Sequence, residues 1–297
     1  MRVPIITDEA AQQGGWHGVA LSQAFKQRGV QAVFVDLQDC IIDLSGAEAR
    51  IVMPQFDETP PIAFIRGIAA GTLQQVITRL NILHALRMLG CYVYNDAKAI
   101  ERTVDKGMTS FLLKQHGIPT PATWVCESRH IAHALIQEHT ALGKTLIAKP
   151  LFGSQGKGVR QLDINSKLPL PRDEFVDGVY YLQTFVDTGN NNYDFRVFVI
   201  NDQPVAAMKR SGEGWLHNVA KGARCQLIEE DDVLSLAVRA AQAMQIDYCG
   251  VDIIRDWQGS LWVIEVNSIP AWSGLQSVCK VNVAQLLVDD LLSKKNV

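Results

Sequence analysis

Residues 250–272 constrain this chain more than any other stretch, reading Gly-Val-Asp-Ile-Ile-Arg-Asp-Trp-Gln-Gly-Ser-Leu-Trp-Val-Ile-Glu-Val-Asn-Ser-Ile-Pro-Ala-Trp. Two β-branched, apolar runs flank Asp256-Trp257-Gln258-Gly259, a turn-forming tetrad, and the pattern predicts a β-hairpin. With that tetrad as the loop and Arg255 facing Ser260, Asp252 falls opposite Val263. Side chains alternate along a strand, so Asp252, Glu265 and Asn267 share one face. Val251, Ile253, Trp262, Ile264 and Val266 turn the other way into apolar packing. Two carboxylates and an amide oxygen are hard ligands of the kind that suit Mg²⁺, which also takes waters and substrate phosphates. A half-exposed hairpin whose polar face simply meets water has the same spelling. A one-residue bulge would break the convergence.

The totals narrow the classes. A chain of 297 residues that is 47% hydrophobic can form two or three compact units around a substantial core. A formal net charge of -3 gives no basis for a nucleic-acid or membrane-surface binder. Basic residues gather only locally, at Lys209-Arg210, Lys221 and Arg224, which fits a site for small anions. The six cysteines have no Cys-x-x-Cys spacing and read as reduced thiols of a cytoplasmic protein. His130 and His133 are an isolated His-x-x-His without a third ligand nearby. No signal peptide precedes the first strand-like residues, and no apolar run approaches the ~18 residues of a membrane span.

Up to residue 95 strand and helix patterns alternate. Val3 to Thr7 reads as a strand, and Gly14-Gly15-Trp16-His17-Gly18 opens a helix carrying Val19, Leu21, Ala24 and Phe25. Thr72 to Leu89 carries Leu73, Val76, Ile77, Leu80, Leu83 and Leu86 at helical spacing. Such alternation implies a small parallel sheet covered by helices. Gly14-Gly15 reads as a tight turn, or as backbone N–H groups offered to an anion, without a full dinucleotide fingerprint. Residues 95–103 are polar and irregular, a helix follows from about Thr103 to His116, and Ser128 caps another reaching about Leu142. Tyr180 to Val186 is strand-like, a second hairpin turns at Asn201-Asp202, and Asp231 or Asp232 caps a helix to Met244.

Gly153, Gly156 and Gly158 lie between two strand patterns, so they do not form a P-loop, which would lead into a helix. They suit a hairpin flap whose backbone N–H groups close over phosphates, with Lys149 as a point charge at its base. A glycine-rich turn beside a surface lysine is the plainer reading of the same residues.

Six motifs then recur in one order. They are Asn95-Asp96 with Asp105-Lys106 opening a helix; Ala148-Lys149-Pro150 before the flap; Asp194-Phe195-Arg196-Val197; Gly250-Val251-Asp252; and Glu265-Val266-Asn267-Ser268-x-Pro270. Together they resemble the ATP-grasp carboxylate–amine ligases, in particular the RimK-like α-L-glutamate ligase branch. The resemblance implies an α/β (α+β ATP-grasp) fold: an N-terminal α/β domain over residues 1–95, a central ATP-binding subdomain over 96–187, and a C-terminal subdomain with the Mg²⁺ site over 188–297. It assigns Lys106 and Lys149 to the nucleotide phosphates, and Gly153, Ser154, Gln155, Gly156 and Gly158 to the phosphate flap. Gln183, Thr184, Phe185 and Val186 would pair by backbone with the adenine edge, and Asp187 would meet the ribose. Thr184 stands where the family usually carries a glutamate, which puts side-chain contacts to adenine in question. Asp252, Glu265 and Asn267 would hold Mg²⁺, with Mn²⁺ as a substitute, and Arg196, aided by Arg210 and Asn218, would stabilise an acyl phosphate.

The chemistry so implied is ATP-dependent and ADP-forming: a carboxylate is phosphorylated, and an amine displaces phosphate to give an amide. The spelling Asn-Ser-Ile-Pro-Ala-Trp at 267–272, with Gly15-Trp16-His17-Gly18, is similar to ligases linked to methanopterin- and methanofuran-type C1 carriers. That similarity implies addition of glutamate to a small pterin or furan cofactor precursor, to tyrosine or to a polyglutamate tail. Trp272 and Trp215 are candidates to stack on a flat ring, although buried packing is the commoner fate of tryptophan. Two alternatives stand beside this: a ligase acting on a protein or peptide C-terminus, and a non-catalytic ATP-binding scaffold. The expected partners are an amino acid, an amine or peptide-like acceptor and, as an open option, further copies of the chain.

Overall fold

A computed structural model describes residues 1–8, 14–153, 158–166, 178–189, 192–212 and 224–294. The first unit runs β1 (Arg2–Ile6), α1 (Gly15–Gln27), β2 (Gln31–Val35), a small hairpin of β3 (Ile41–Asp43) and β4 (Arg50–Val52), β5 (Ile62–Ile65), α2 (Leu73–Met88) and β6 (Tyr92–Tyr94). Its sheet has the order β2-β1-β5-β6 and is parallel throughout. Thr72 caps α2 in a capping box with Gln75. The helix buries Arg79, Ile82, Leu83 and Leu86, while Leu73 and Ile77 of the expected stripe stay exposed.

The polar segment expected to be irregular is α3 (Ala97–Val104). Its Ala97, Ala99, Ile100 and Thr103 form a buried stripe between charged residues, and Asp96 caps it by accepting from the Lys98 N–H. The helix expected from Thr103 therefore starts later, as α4 (Lys106–Gln115), because Asp105 leaves helical geometry to accept from the Gly107 and Met108 N–H groups. Then come β7 (Thr123–Cys126), α5 (Arg129–Ala141), β8 (Leu146–Lys149), β9 (Arg160–Leu162) and β10 (Tyr180–Thr184). They form an antiparallel sheet ordered β7-β10-β8-β9.

The last unit has β11 (Tyr193–Ile200), β12 (Gln203–Ser211), β13 (Arg224–Leu227), α6 (Asp231–Met244), β14 (Tyr248–Arg255), β15 (Leu261–Asn267), α7 (Ser273–Gln276) and α8 (Val283–Ser293). Its antiparallel sheet is ordered β13-β12-β11-β14-β15. Glu230 occupies the N-cap of α6 without a side-chain cap, one residue before the expected aspartates. Alternation along the strands sends Phe195, Val197, Val199, Val251, Ile253, Val263 and Val266 into one core with α6. Each such side chain contributes about 1.5–3 kcal/mol of burial free energy. The opposite face joins the first unit: Phe198, Ile200, Met208, Tyr248 and Trp272 share a core with Val3, Ile5, Phe64, Tyr94 and α8. No helix among the described residues is long and apolar enough to cross a membrane.

Candidate active site

The β14–β15 hairpin brings its polar residues together by a different register from the one expected. Asp256 N–H bonds to the Ser260 carbonyl, so the loop is one residue longer than the tetrad, and Arg255 pairs with Leu261. A bulge follows: Ile253 pairs with Val263 but Asp252 with Glu265, leaving Ile264 as the extra residue. The two one-residue slips run the same way and add to two, which restores the facing of the side chains. Asp252 lies directly across from Glu265 and Gly250 across from Asn267. The bulge that should have broken the convergence restores it. Before the bulge the faces are exchanged: Val263 is fully buried in the core, whereas Trp262 is half-buried and donates its indole N–H to Asp256 Oδ2 at 2.9 Å.

On that face the pairing sets Asp194 against Arg210 and Arg196 against Asp252. Arg196 grips Asp252 with two bonds, Nε to Oδ1 and Nη2 to Oδ2 at 2.6 Å. Arg210 does the same to Asp194, at 2.6 and 2.8 Å, and reaches Asp252 Oδ1 with Nη2 at 3.1 Å. Burial alone would raise the Asp252 carboxyl, but Arg196 and Arg210 outweigh it and hold it below its ordinary value. For Asp194 burial wins over Arg210, and its carboxyl is pushed up to about 6. Arg210 and Lys209 do not form one basic patch, because alternation separates them: Lys209 lies over the Tyr193 ring at 5.1 Å.

The middle sheet supplies the opposing wall. Leu146, Ala148, Tyr180 and Leu182 pack under α5, so alternation turns Lys149, Tyr181 and Gln183 the other way. Lys149 donates to Gln183 Oε1 at 2.7 Å, and Gln183 Nε2 donates in turn to Tyr181 Oη at 2.9 Å and Thr123 Oγ1 at 3.1 Å. Burial brings the Lys149 ammonium down to about 8, with Glu265 opposing the shift and Lys106 adding to it. Lys106, the first residue of α4, donates to the carbonyls of Leu151 and Gly153 at 3.2 and 2.9 Å, at the root of the glycine-rich segment. Burial lowers its ammonium too, against the pull of Glu265. At the segment's far end Gly158 has φ +72°, and a Cβ there would lie 2.8 Å from Pro150 Cγ. Ser154, Gln155, Gly156 and Asn218, together with Trp215 and Lys221, lie outside the described residues.

The expected adenine stretch is less open than foreseen. Gln183 is a ladder residue of β10, and the N–H groups of Thr184 and Phe185 are taken by the carbonyls of Ala122 and Thr145. Val186 follows the strand, and Asp187 closes a local turn by accepting from the Gly189 N–H at 2.8 Å. Trp272 is fully buried, so it cannot itself stack on a ligand; Trp16, 50% exposed, lies edge-on to it at 6.4 Å.

The donor set suits a hard divalent cation. Glu265 makes no hydrogen bond or ion pair to a described residue, and burial followed by the nearby Asp252 charge raises its carboxyl, a cost that a bound cation would remove. Asn267 spends its Nδ2 on the Gly250 carbonyl at 3.4 Å, leaving the amide oxygen for a ligand. Sequence reading missed Asp194 as the anchor of Arg210, although its Asp-x-Arg spacing places Asp194 and Arg196 on one strand face.

Comparison with known proteins bears on this site. Residues 103–291 match the RimK-like ATP-grasp domain and residues 1–100 the RimK PreATP-grasp domain. A tetrahydromethanopterin:alpha-L-glutamate ligase of Methanococcus maripaludis is 36% identical over 239 residues, 78% of this chain and 78% of that protein. A probable alpha-L-glutamate ligase of Vibrio atlanticus is 29% identical over 279 residues, 91% and 89% of the two chains. Among solved structures, the ATP-grasp ligase PsnB complexed with its minimal precursor shares the fold, with a TM-score of 0.72, 20% identity and 99% of each chain covered.

Proposed function

Because the chain belongs to the RimK-like ATP-grasp family of ADP-forming ligases, we propose that it adds L-glutamate to a carboxylate of a small, ring-bearing cofactor precursor. The observation that carries this reading is the meeting of two charged walls: Lys106 and Lys149 from the middle unit, Asp252 and Glu265 with Arg196 from the last sheet. The 36% identical relative acts on a tetrahydromethanopterin by its name, which supports a pterin-like acceptor.

In this reading ATP lies between the walls. Lys106 and Lys149 bind its phosphates as point charges, beside Gly153 and Gly158, the described ends of the glycine-rich stretch that in sequence also holds Ser154, Gln155 and Gly156. Asp252, Glu265 and Asn267 would hold Mg²⁺, which would supply positive charge to offset that of the terminal phosphates. The acceptor carboxylate attacks that phosphate, ADP leaves, and the glutamate amine displaces phosphate from the acyl phosphate to form the amide. Arg196 orients the attacking carboxylate and takes the charge that develops on the acyl phosphate, with Arg210 fixing the Asp252 end of the pair and Asn218 nearby in sequence. No serine or cysteine nucleophile is needed, because phosphoryl transfer asks mainly for position and charge.

The test is ADP release from ATP, Mg²⁺ and L-glutamate with a panel of pterin carboxylates, furan carboxylates, tyrosine and free peptides, with products identified by mass spectrometry. A parallel arm replaces Mg²⁺ by Mn²⁺. The expected result is ADP release that needs both glutamate and a ring-bearing carboxylate, with one glutamyl residue added per ADP. Ligation to peptides alone would move the function to a peptide ligase. ATP binding without turnover on any acceptor would leave only a scaffold.

A further inference from the structure

The site-bearing face of the last sheet is divided in two. Asp194, Arg196, Arg210, Asp252 and Glu265 occupy one end, and Phe198 and Tyr248 the other, where the sheet packs on the first unit. Gly250 marks the junction: a Cβ there would lie 2.9 Å from Pro270 Cβ and 3.1 Å from Arg196 Cδ. Pro270 leads straight into Trp272, so Trp272 stands where the charged half ends.

Trp272 meets the first unit at the carboxyl ends of β1 and β5, where the strand order reverses direction. In open parallel sheets this is the crevice that takes ligands. α1 brings Trp16 and His17 there, and Arg66 follows β5 directly. The His17 ring lies 4.5 Å from Trp272 and 5.0 Å from Trp16, and the Arg66 guanidinium sits over Trp272 at 5.4 Å. Burial and the Arg66 charge push the His17 imidazole down to about 4, so at neutral pH its Nε2 is an acceptor, and it takes the Trp272 backbone N–H at 3.1 Å. Buried Arg79 donates to the carbonyls of Ala69 and Ala70 at 2.6 and 3.1 Å, fixing the loop that begins at Arg66. A mere packing contact would bury every ring. Here Trp16 keeps 50% of its surface exposed, and the buried Trp272 Nε1 meets no hydrogen-bond partner among the described residues.

We propose that Trp16 and Arg66, backed by Trp272, form the subsite for the far end of the acceptor: a flat heteroaromatic ring stacked on Trp16 and carrying an anionic or oxygen-bearing substituent toward Arg66. The inference rests on the ligase reading for which substrate is held there. Gly250, whose added Cβ would meet both Pro270 and the Arg196 stem, joins the two halves. The acceptor in this proposal therefore carries its ring at Trp16 and a short arm whose carboxylate turns toward Arg196.

The test compares wild type, Trp16→Ala, Trp16→Phe and Arg66→Met as full chains, in steady-state kinetics and in equilibrium titration with pterin-6-carboxylate as the probe. Trp16→Ala is expected to raise KM for a ring-bearing acceptor about tenfold to a hundredfold, the range of base–aromatic stacking. Trp16→Phe should recover most of that loss, Arg66→Met should weaken the probe more than neutral pterin, and KM for ATP should hold throughout. Unchanged acceptor KM and probe affinity in Trp16→Ala would overturn the subsite. So would parallel losses for ATP and acceptor, which indicate a structural role. If the wild type releases no acceptor-dependent ADP, the ligase reading fails by itself, and the probe titration still decides the subsite. Should Trp16→Ala not fold, Trp16→Phe and Trp16→Gln carry the comparison.

Discussion

Asn95 grips the backbone of Tyr248 from both sides, accepting from its N–H at 3.1 Å and donating to its carbonyl at 2.7 Å. The same amide accepts from the Asp247 N–H at 3.0 Å and donates to the Ser268 carbonyl at 2.7 Å. One fully buried side chain thus ties the start of β14 to the end of the hairpin. Asn95→Ala leaves four backbone groups to find other partners, and the expected loss is about 3–5 kcal/mol of stability. A urea unfolding midpoint that falls with an unchanged slope would measure it, and a loss below about 1 kcal/mol would contradict it.

Removing Arg196 releases Asp252 from one of its two arginines and takes away the proposed clamp on the acyl phosphate. Arg196→Ala is expected to lower turnover by about 10²- to 10³-fold, as for lost oxyanion donors, with KM for ATP nearly constant. Glu265→Ala should abolish Mg²⁺-dependent ATP consumption. Full turnover in either variant, measured by coupled ADP release, would remove the corresponding role.

Lys149 gives activity and stability opposite pH slopes. Its ammonium titrates near pH 8 in the folded chain, so kcat/KM for ATP should fall as pH rises from 7 to 9, where about one-tenth of the charge remains. Between about pH 8 and the ordinary lysine value of 10.5 the unfolded chain binds the extra proton, so this residue's contribution to stability rises with pH across that window and is constant below it. Lys149→Met should be slow at pH 7 and lose this inflection. An inflection that survives the substitution would assign it to another group.

Gly250→Ala places a methyl against Pro270 and the Arg196 stem. Neither neighbour is free to move without disturbing the site, and overpacking of this kind costs about 1–3 kcal/mol. Turnover should drop more than the melting temperature suggests, with Arg196 displaced from Asp252. Wild-type kcat in this variant would show that the junction tolerates a side chain.

Much of the fold is legible in the sequence because its signals are local. The alternation in β14, the helical spacing that runs through α2, and the cap at Ser128 each follow from neighbouring residues. What escaped reading depends on distant partners. α3 looks polar because only four small or apolar residues face inward, and their burial is set by the elements packed on them. The backbone of Thr184 and Phe185 is claimed by strands and loops far back in the chain, so its availability to a nucleotide cannot be seen in the linker itself. Trp272 and Trp16 carry the same residue type, and only assembly of the first and last units buries one and leaves the other half open.

The bulge at Ile264 gives the hairpin a parity. Loop length and bulge each shift the register by one, and Asp252 and Glu265 share a face only when the sum of the two shifts is even. A single-residue deletion in the turn would rotate one carboxylate into the α6 core, while the same deletion joined to loss of the bulge would leave the face intact. Length changes in this turn are therefore tolerated in pairs, and homologues with a shorter turn must lack the extra residue opposite Asp252.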